Sequence, residues 1–196
     1  MSILSENIQL LLWKEKGDFP EYDYDKFISH FSELCKIPEE RLRSIMKGEV
    51  VPDDNELKMI TRCCPEYEYE LSYLRKEVLV EYLNPLEKDN LIKDNTMYLL
   101  DTLSIGETKS FTEKTGVNPS TVTRWKEGIT SPNTKGQKKI EKYFGLGKGD
   151  ILGKSVLVFG HGPMPISARK QKYMNQIEKM DPEQFLKIEY VLSKIV

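Results

Sequence analysis

The sequence predicts an all-α protein in which one helical unit occurs twice in tandem, followed by a helical tail. Three observations carry this expectation. Apolar residues recur at spacings of three and four along most of the chain. Strand-like alternation is nearly absent. The two halves also overlay without a gap at an offset of 80 across roughly thirty residues, a register that only a shared fold explains well. In that overlay Phe31 falls on Phe111, Ile37 on Val117, Leu42 on Val122, Ile45 on Trp125, Gly48 on Gly128, Pro52 on Pro132 and Ile60 on Ile140. All are apolar or chain-breaking positions.

Each element has its own signal. The run from Ile8 to Trp13 opens a first helix that ends near Lys16-Gly17, and the acidic stretch with Pro20 is a loop. Residues 25–34 are amphipathic, with Phe27, Ile28, Phe31 and Leu34 on one side. Pro38 opens a short helix carrying Leu42 and Ile45, and Gly48 closes it. Asp53 or Asp54 caps another helix with Leu57, Met59 and Ile60. After Pro65, the 4-3-4 spacing of Tyr67, Leu71, Leu74 and Val78 predicts a long linker helix ending near Asn84-Pro85, and a second helical set starts near Leu91. Ser155 to Phe159 reads as a short strand. Asp181-Pro182 caps a last helix striped by Phe185, Ile188, Leu192 and Ile195. The expected divisions are 1–64, a linker helix at 65–89, 90–154, and a tail at 155–196.

Composition narrows the class. The chain has 196 residues, 39% hydrophobic and 31% charged, enough apolar material for a packed core in each unit. No run approaches 18 apolar residues, so a membrane span is not expected, and Glu6 in a start without a basic segment argues against a secretory signal. Three cysteines, two of them adjacent, make no disulfide framework and suit a reducing cytoplasm. No nucleophile–base pair or metal-ligand set is recognisable, so neither an enzyme nor a cofactor is expected. The net charge of −2 conceals an asymmetry: residues 1–89 carry −8 and residues 90–196 carry +6. A basic half hints at a polyanionic partner.

The segment from Glu107 to Phe144 carries the function. A helix over about 108–115 buries Phe111 and stops at Gly116, where a tight turn favours positive φ. Asn118 caps the next helix, 119–127, and Pro119 sits at its first position. Val122 and Trp125 point inward, leaving Ser120, Thr121, Thr123 and Arg124 outside. Helix, glycine-containing turn, and a second helix with a polar outer face form the arrangement whose second helix enters the DNA major groove.

On the residues Gly116-Val117 through Thr121-Val122, then Arg124-Trp125, Gly128 and Pro132, the sequence resembles the Xre/Cro (phage lambda-repressor-like) helix-turn-helix regulators, over nearly all of residues 91–153. The N-terminal half would be a second, degenerate copy. The resemblance implies base-edge contacts from Pro119, Ser120 and Arg124, and backbone contacts from Thr108, Asn118 and Thr121. Thr108 stands where the family commonly has Gln, and Pro119 offers a base only an apolar contact, for instance to a thymine methyl. Lys135 and its neighbours Lys138, Lys139 and Lys142 form either a solvated face or a phosphate-contact surface.

The expected function is therefore a sequence-specific, double-stranded-DNA-binding transcriptional regulator, a repressor that works as a homodimer. The alternative is a regulator of antitoxin or phage type that acts by binding a protein through its acidic N-terminal unit. In that unit Glu39 and Glu40 oppose phosphate approach, while Arg41, Arg43 and Lys47 keep a DNA role open. Dimerisation is expected through the C-terminal helix, with the linker helix as the competing surface. Gly149-x3-Gly153-Lys154-Ser155 has one residue too few between its glycines for a phosphate loop. His161 lies between two glycines without a ligand partner, and Cys63-Cys64 align with Tyr143-Phe144 and so are expected to be buried thiols.

Overall fold

A computed structural model describes residues 2–65, 71–146 and 151–159. Among these residues there are helices and turns but no strand. In order they are α1 (Ile3–Lys16), α2 (Tyr24–Cys35), α3 (Glu39–Lys47), α4 (Asp54–Arg62), α5 (Leu71–Lys76), α6 (Pro85–Asp101), α7 (Ile105–Thr115), α8 (Pro119–Lys126) and α9 (Thr134–Phe144). Short 3₁₀ turns follow α5 at Leu79–Tyr82 and α9 at Ile151–Gly153. The all-α expectation holds for this described part.

The offset of 80 is visible in three dimensions. Phe31 and Phe111, Leu42 and Val122, Ile45 and Trp125, and Ile60 and Ile140 are all buried, and Cys64 is buried where Phe144 is. The α2–α3 and α7–α8 turns both begin with a left-handed residue, Lys36 at φ 55° and Gly116 at φ 61°. Lysine adopts this conformation at a steric cost that glycine avoids. Two cores result. One gathers α1 with Phe27, Phe31, Leu42, Leu57 and Leu74; the other gathers Leu99, Leu100, Phe111, Trp125, Ile140 and Phe144.

A pair of asparagines repeats as well, and it corrects two expectations. Asn7 Nδ2 donates to the carbonyls of Leu74 (2.8 Å) and Glu77 (2.6 Å), while its Oδ1 accepts the amide of Leu79 (3.0 Å). Asn95 does the same to Leu152 (2.9 Å), Ser155 (2.7 Å) and Leu157 (2.7 Å). Each buried asparagine thus takes over backbone groups that a regular element would pair internally. The linker is consequently not one long helix: α5 ends at Lys76, and a separate 3₁₀ turn follows. Residues 66–70 of that expected helix lie outside the described residues. Residues 155–159 are likewise no strand. Their amide and carbonyl groups serve Asn95, and Val156, Leu157, Val158 and Phe159 are all buried.

Smaller differences have local causes. The second helical set begins at Pro85 rather than near Leu91, because Asn84 and Glu87 form a reciprocal capping box nearly two turns earlier. Likewise α7 begins at Ile105 rather than 108, where Ser104 and Glu107 form the same box. Leu34 and Met59, expected among the inward residues, are 47% and 39% exposed.

The halves meet along α1 and α6. Trp13 Nε1 donates to Asp94 (2.9 Å), as does Tyr24 Oη (3.2 Å), and Lys14 pairs with Glu87 at 2.8 Å. Val156, Val158 and Phe159 cross from the second half into the first core, where Phe159 meets Tyr24 edge-on. No described helix is long and apolar enough to cross a membrane. The expected C-terminal helix, its stripe of Phe185, Ile188, Leu192 and Ile195, His161 and Gly149 lie outside the described residues.

Candidate nucleic-acid interface

The surface begins with the turn that sets α8. At the end of α7, Thr115 Oγ1 donates to the Phe111 carbonyl (2.7 Å) and accepts the Val117 amide (3.3 Å), and Gly116 supplies the left-handed step. Val117 is buried and anchors the turn. Asn118 Oδ1 then accepts the backbone amide of Ser120 (2.9 Å) and its hydroxyl (2.7 Å). This cap occupies the side-chain oxygen and leaves the Asn118 amide NH₂ to an outside acceptor such as phosphate.

Underneath, Val122 and Trp125 pin α8 to the core. Trp125 packs against the first turn of α9: a Cβ added to Gly136 would stand 2.9 Å from the Trp125 Cη2 and 3.1 Å from the Pro132 Cβ. On the other side α6 supports α8 and the turn after it. Lys126 pairs with Asp101 at 3.5 Å, Ser131 donates to Asp89 at 2.9 Å, and Gly128, at φ 64°, sits against Met97.

The outward residues are those that the sequence singles out. Asn118, Pro119, Ser120, Thr123 and Arg124 are exposed, and Thr121 is half-buried. Thr123 Oγ1 donates to the Pro119 carbonyl (3.2 Å) and Thr108 Oγ1 to that of Ser104 (3.0 Å), so each hydroxyl keeps acceptor capacity. Thr108 is half-buried near the start of α7. Arg124 makes no ion pair with any described residue. Lys135, Lys138 and Lys142 are exposed along α9. Residues 105–144 together hold eight Lys/Arg against four Asp/Glu.

The same surface in the first half is chemically different. Residues 25–64 hold seven Lys/Arg against eight Asp/Glu. Arg41 is clamped by both oxygens of Glu56 (2.8 and 3.0 Å), and Arg43 bridges Glu39 (2.8 Å) and Asp25 (3.1 Å). Hydrogen bonds from Ser29 and Arg43 hold the Glu39 carboxyl below the ordinary carboxylate range, and the bond from Arg41 does so for Glu56. Both acids stay ionised and neutralise their arginines.

Sequence reasoning missed Gly136, the residue that gives Trp125 its seat. It also missed the Ser104–Glu107 capping box, although the S-x-x-E spacing was there to read. Lys109, exposed on α7, adds a further cation. As for the thiols, Cys35 and Cys64 are buried and Cys63 half-buried; burial pushes the Cys35 thiol up to about 11 and the Cys64 thiol up further. Such thiols are poor nucleophiles at neutral pH. Comparison with protein-family models, curated proteins and solved structures returned no match.

Proposed function

We propose that the chain is a sequence-specific DNA-binding transcriptional regulator of the Xre/Cro kind, with two tandem helix-turn-helix units of which the second reads DNA. The carrying observation is the contrast between equivalent faces. Arg124 on α8 is exposed and makes no ion pair with any described residue, whereas Arg41 and Arg43 on α3 are held by carboxylates. An exposed guanidinium on an outward helix face is able to grip the O6 and N7 of a guanine. Ser120, Thr121 and Thr123 flank it with hydroxyls, Pro119 offers an apolar contact, and Asn118, Thr108 and Lys135 suit phosphate oxygens. In this reading the protein is a cytoplasmic repressor that binds as a homodimer, because one unit covers few base pairs and two recognition helices one DNA turn apart multiply affinity.

Selection of bound fragments from random duplex DNA by the full chain tests the reading. A shared sequence should emerge, with a guanine whose enrichment disappears when Arg124 is replaced. No enrichment over the starting pool refutes it.

A second reading has its own support. At register positions where the second half carries Lys114, Ser131 and Lys139, the first half exposes Leu34, Val51 and Met59. Apolar residues at these places suit a protein partner rather than phosphates. The first unit therefore serves protein contacts in this reading, as an antitoxin-like or phage-type regulator would use it.

A further inference from the structure

Where α1 meets α6, a cleft of about 600 Å³ opens between the halves. Small-molecule sites typically span ~300–1,000 Å³ and favour such junctions. The first half contributes Trp13, Lys16, Pro20 and Tyr24 to its walls, and α6 contributes Asn90 and Lys93. The two carboxylates of the cleft are already engaged, Asp94 by Trp13 and Tyr24 and Glu87 by Lys14. Two lysines of the lining make no ion pair with a described residue. Lys16 donates to the Phe19 carbonyl (2.8 Å) and lies 5.6 Å from the Tyr24 ring centre, with no carboxylate in reach among the described residues. Lys93 is half-buried and makes no ion pair with any described residue. Three lysines thus face two carboxylates, and a cleft with aromatic walls and one positive charge in excess favours a flat organic anion.

The same wall touches the reading helix. Lys93 and Met97 flank Gly128 directly after α8: a Cβ there would lie 3.9 Å from the Lys93 Cδ and 2.7 Å from the Met97 Sδ. Asp89 and Asp101 of α6 hold Ser131 and Lys126 on either side of that turn. Movement of Lys93 onto a ligand is therefore felt at the end of α8.

We propose that this cleft binds a small aromatic anion, a carboxylate or a phosphate ester, and that its occupancy changes the DNA affinity of α8. The second clause rests on the proposed DNA-binding function; the first does not. Salicylate, phenyl phosphate and neutral benzamide are titrated into the full chain by calorimetry. One or both anions should bind saturably at one per chain, with benzamide at least tenfold weaker. Lys16→Glu and Lys93→Glu should each weaken anion binding at least tenfold; where circular dichroism shows a Glu variant unfolded, the Gln variant replaces it. The preferred anion tells carboxylate from phosphate. Binding by neither anion, equal binding of benzamide, or binding unchanged in both variants overturns the site. With the selected duplex, a saturating anion should shift affinity at least threefold for the wild type and not for Lys93→Glu; an unchanged wild-type affinity overturns the coupling. A chain that takes up the anion but no duplex refutes the DNA reading and leaves the site standing.

Discussion

Arg124 and Gly136 show how single residues divide the work of the candidate interface. Arg124 contributes no fold-stabilising ion pair among the described residues, so its replacement tests recognition with little structural disturbance. Arg124→Ala should weaken binding to the selected duplex by about 1–3 kcal/mol and relax preference at one base, with the thermal midpoint unchanged. Unchanged affinity and preference, read by fluorescence anisotropy, remove it from the reading surface. Gly136 acts from beneath. Helix propensity alone favours alanine there by about 1 kcal/mol. A Cβ 2.9 Å from a buried indole opposes it, and overpacking of this kind costs about 1–3 kcal/mol. The steric effect is the larger one. Gly136→Ala should therefore destabilise the chain and weaken duplex binding, and adding Trp125→Phe should restore part of both. A Gly136→Ala chain with unchanged melting and binding contradicts the seat assigned to Trp125.

At the scale of elements, glycine, proline and helical period carry most of what the sequence reveals. Gly48, Gly116 and Gly128 mark turns, Asn84-Pro85 and Asn118-Pro119 mark starts, and the register of α2–α4 against α7–α9 follows from matched apolar positions. The asparagine clamp escapes this reading for a physical reason. Asn7 and Asn95 are 88 residues apart and their backbone targets 78 apart, so neither falls on the offset that aligns the middle helices. A buried apolar run such as Ser155–Phe159 also looks the same to periodicity whether it pairs as a strand or wedges between helices. Asn95→Ala should cost about 1–3 kcal/mol for each buried group left unpaired, read by urea unfolding. A loss below about 1 kcal/mol would show that the clamp contributes little. The ion pair between α3 and α4 gives a pH signature. The Glu56 carboxyl is lowered by its bond from Arg41, so its stabilisation is full above the ordinary value of 4.5 and disappears as pH falls through the lower folded value. Glu56→Gln should cost roughly 0.2–1 kcal/mol at neutral pH and nothing at strongly acid pH. A cost that persists at acid pH contradicts an ionic origin.

Across the whole molecule, the two halves match in buried positions and turns but differ in charge. The first half holds Arg41 and Arg43 in carboxylate pairs, and among the described residues the second leaves Arg124, Lys135, Lys138 and Lys142 exposed on and beside α8. Val156, Val158 and Phe159 and the Asp94 contacts pack the two halves against each other. The identity of the outward residues was legible in the sequence, because inward and outward positions alternate with helical period. Which arginines stay available was not, since for Arg41 and Arg43 that depends on ion pairs to residues up to 18 positions away. The central claim is that this open face grips duplex DNA. Its most direct test is the affinity of the full chain for its selected duplex measured from 50 to 300 mM salt. Displacement of phosphate-bound counterions predicts a linear fall of log affinity with log salt, about 0.9 for each phosphate neutralised and several phosphates in all. Absent binding at 50 mM, or an affinity that does not change with salt, contradicts the account.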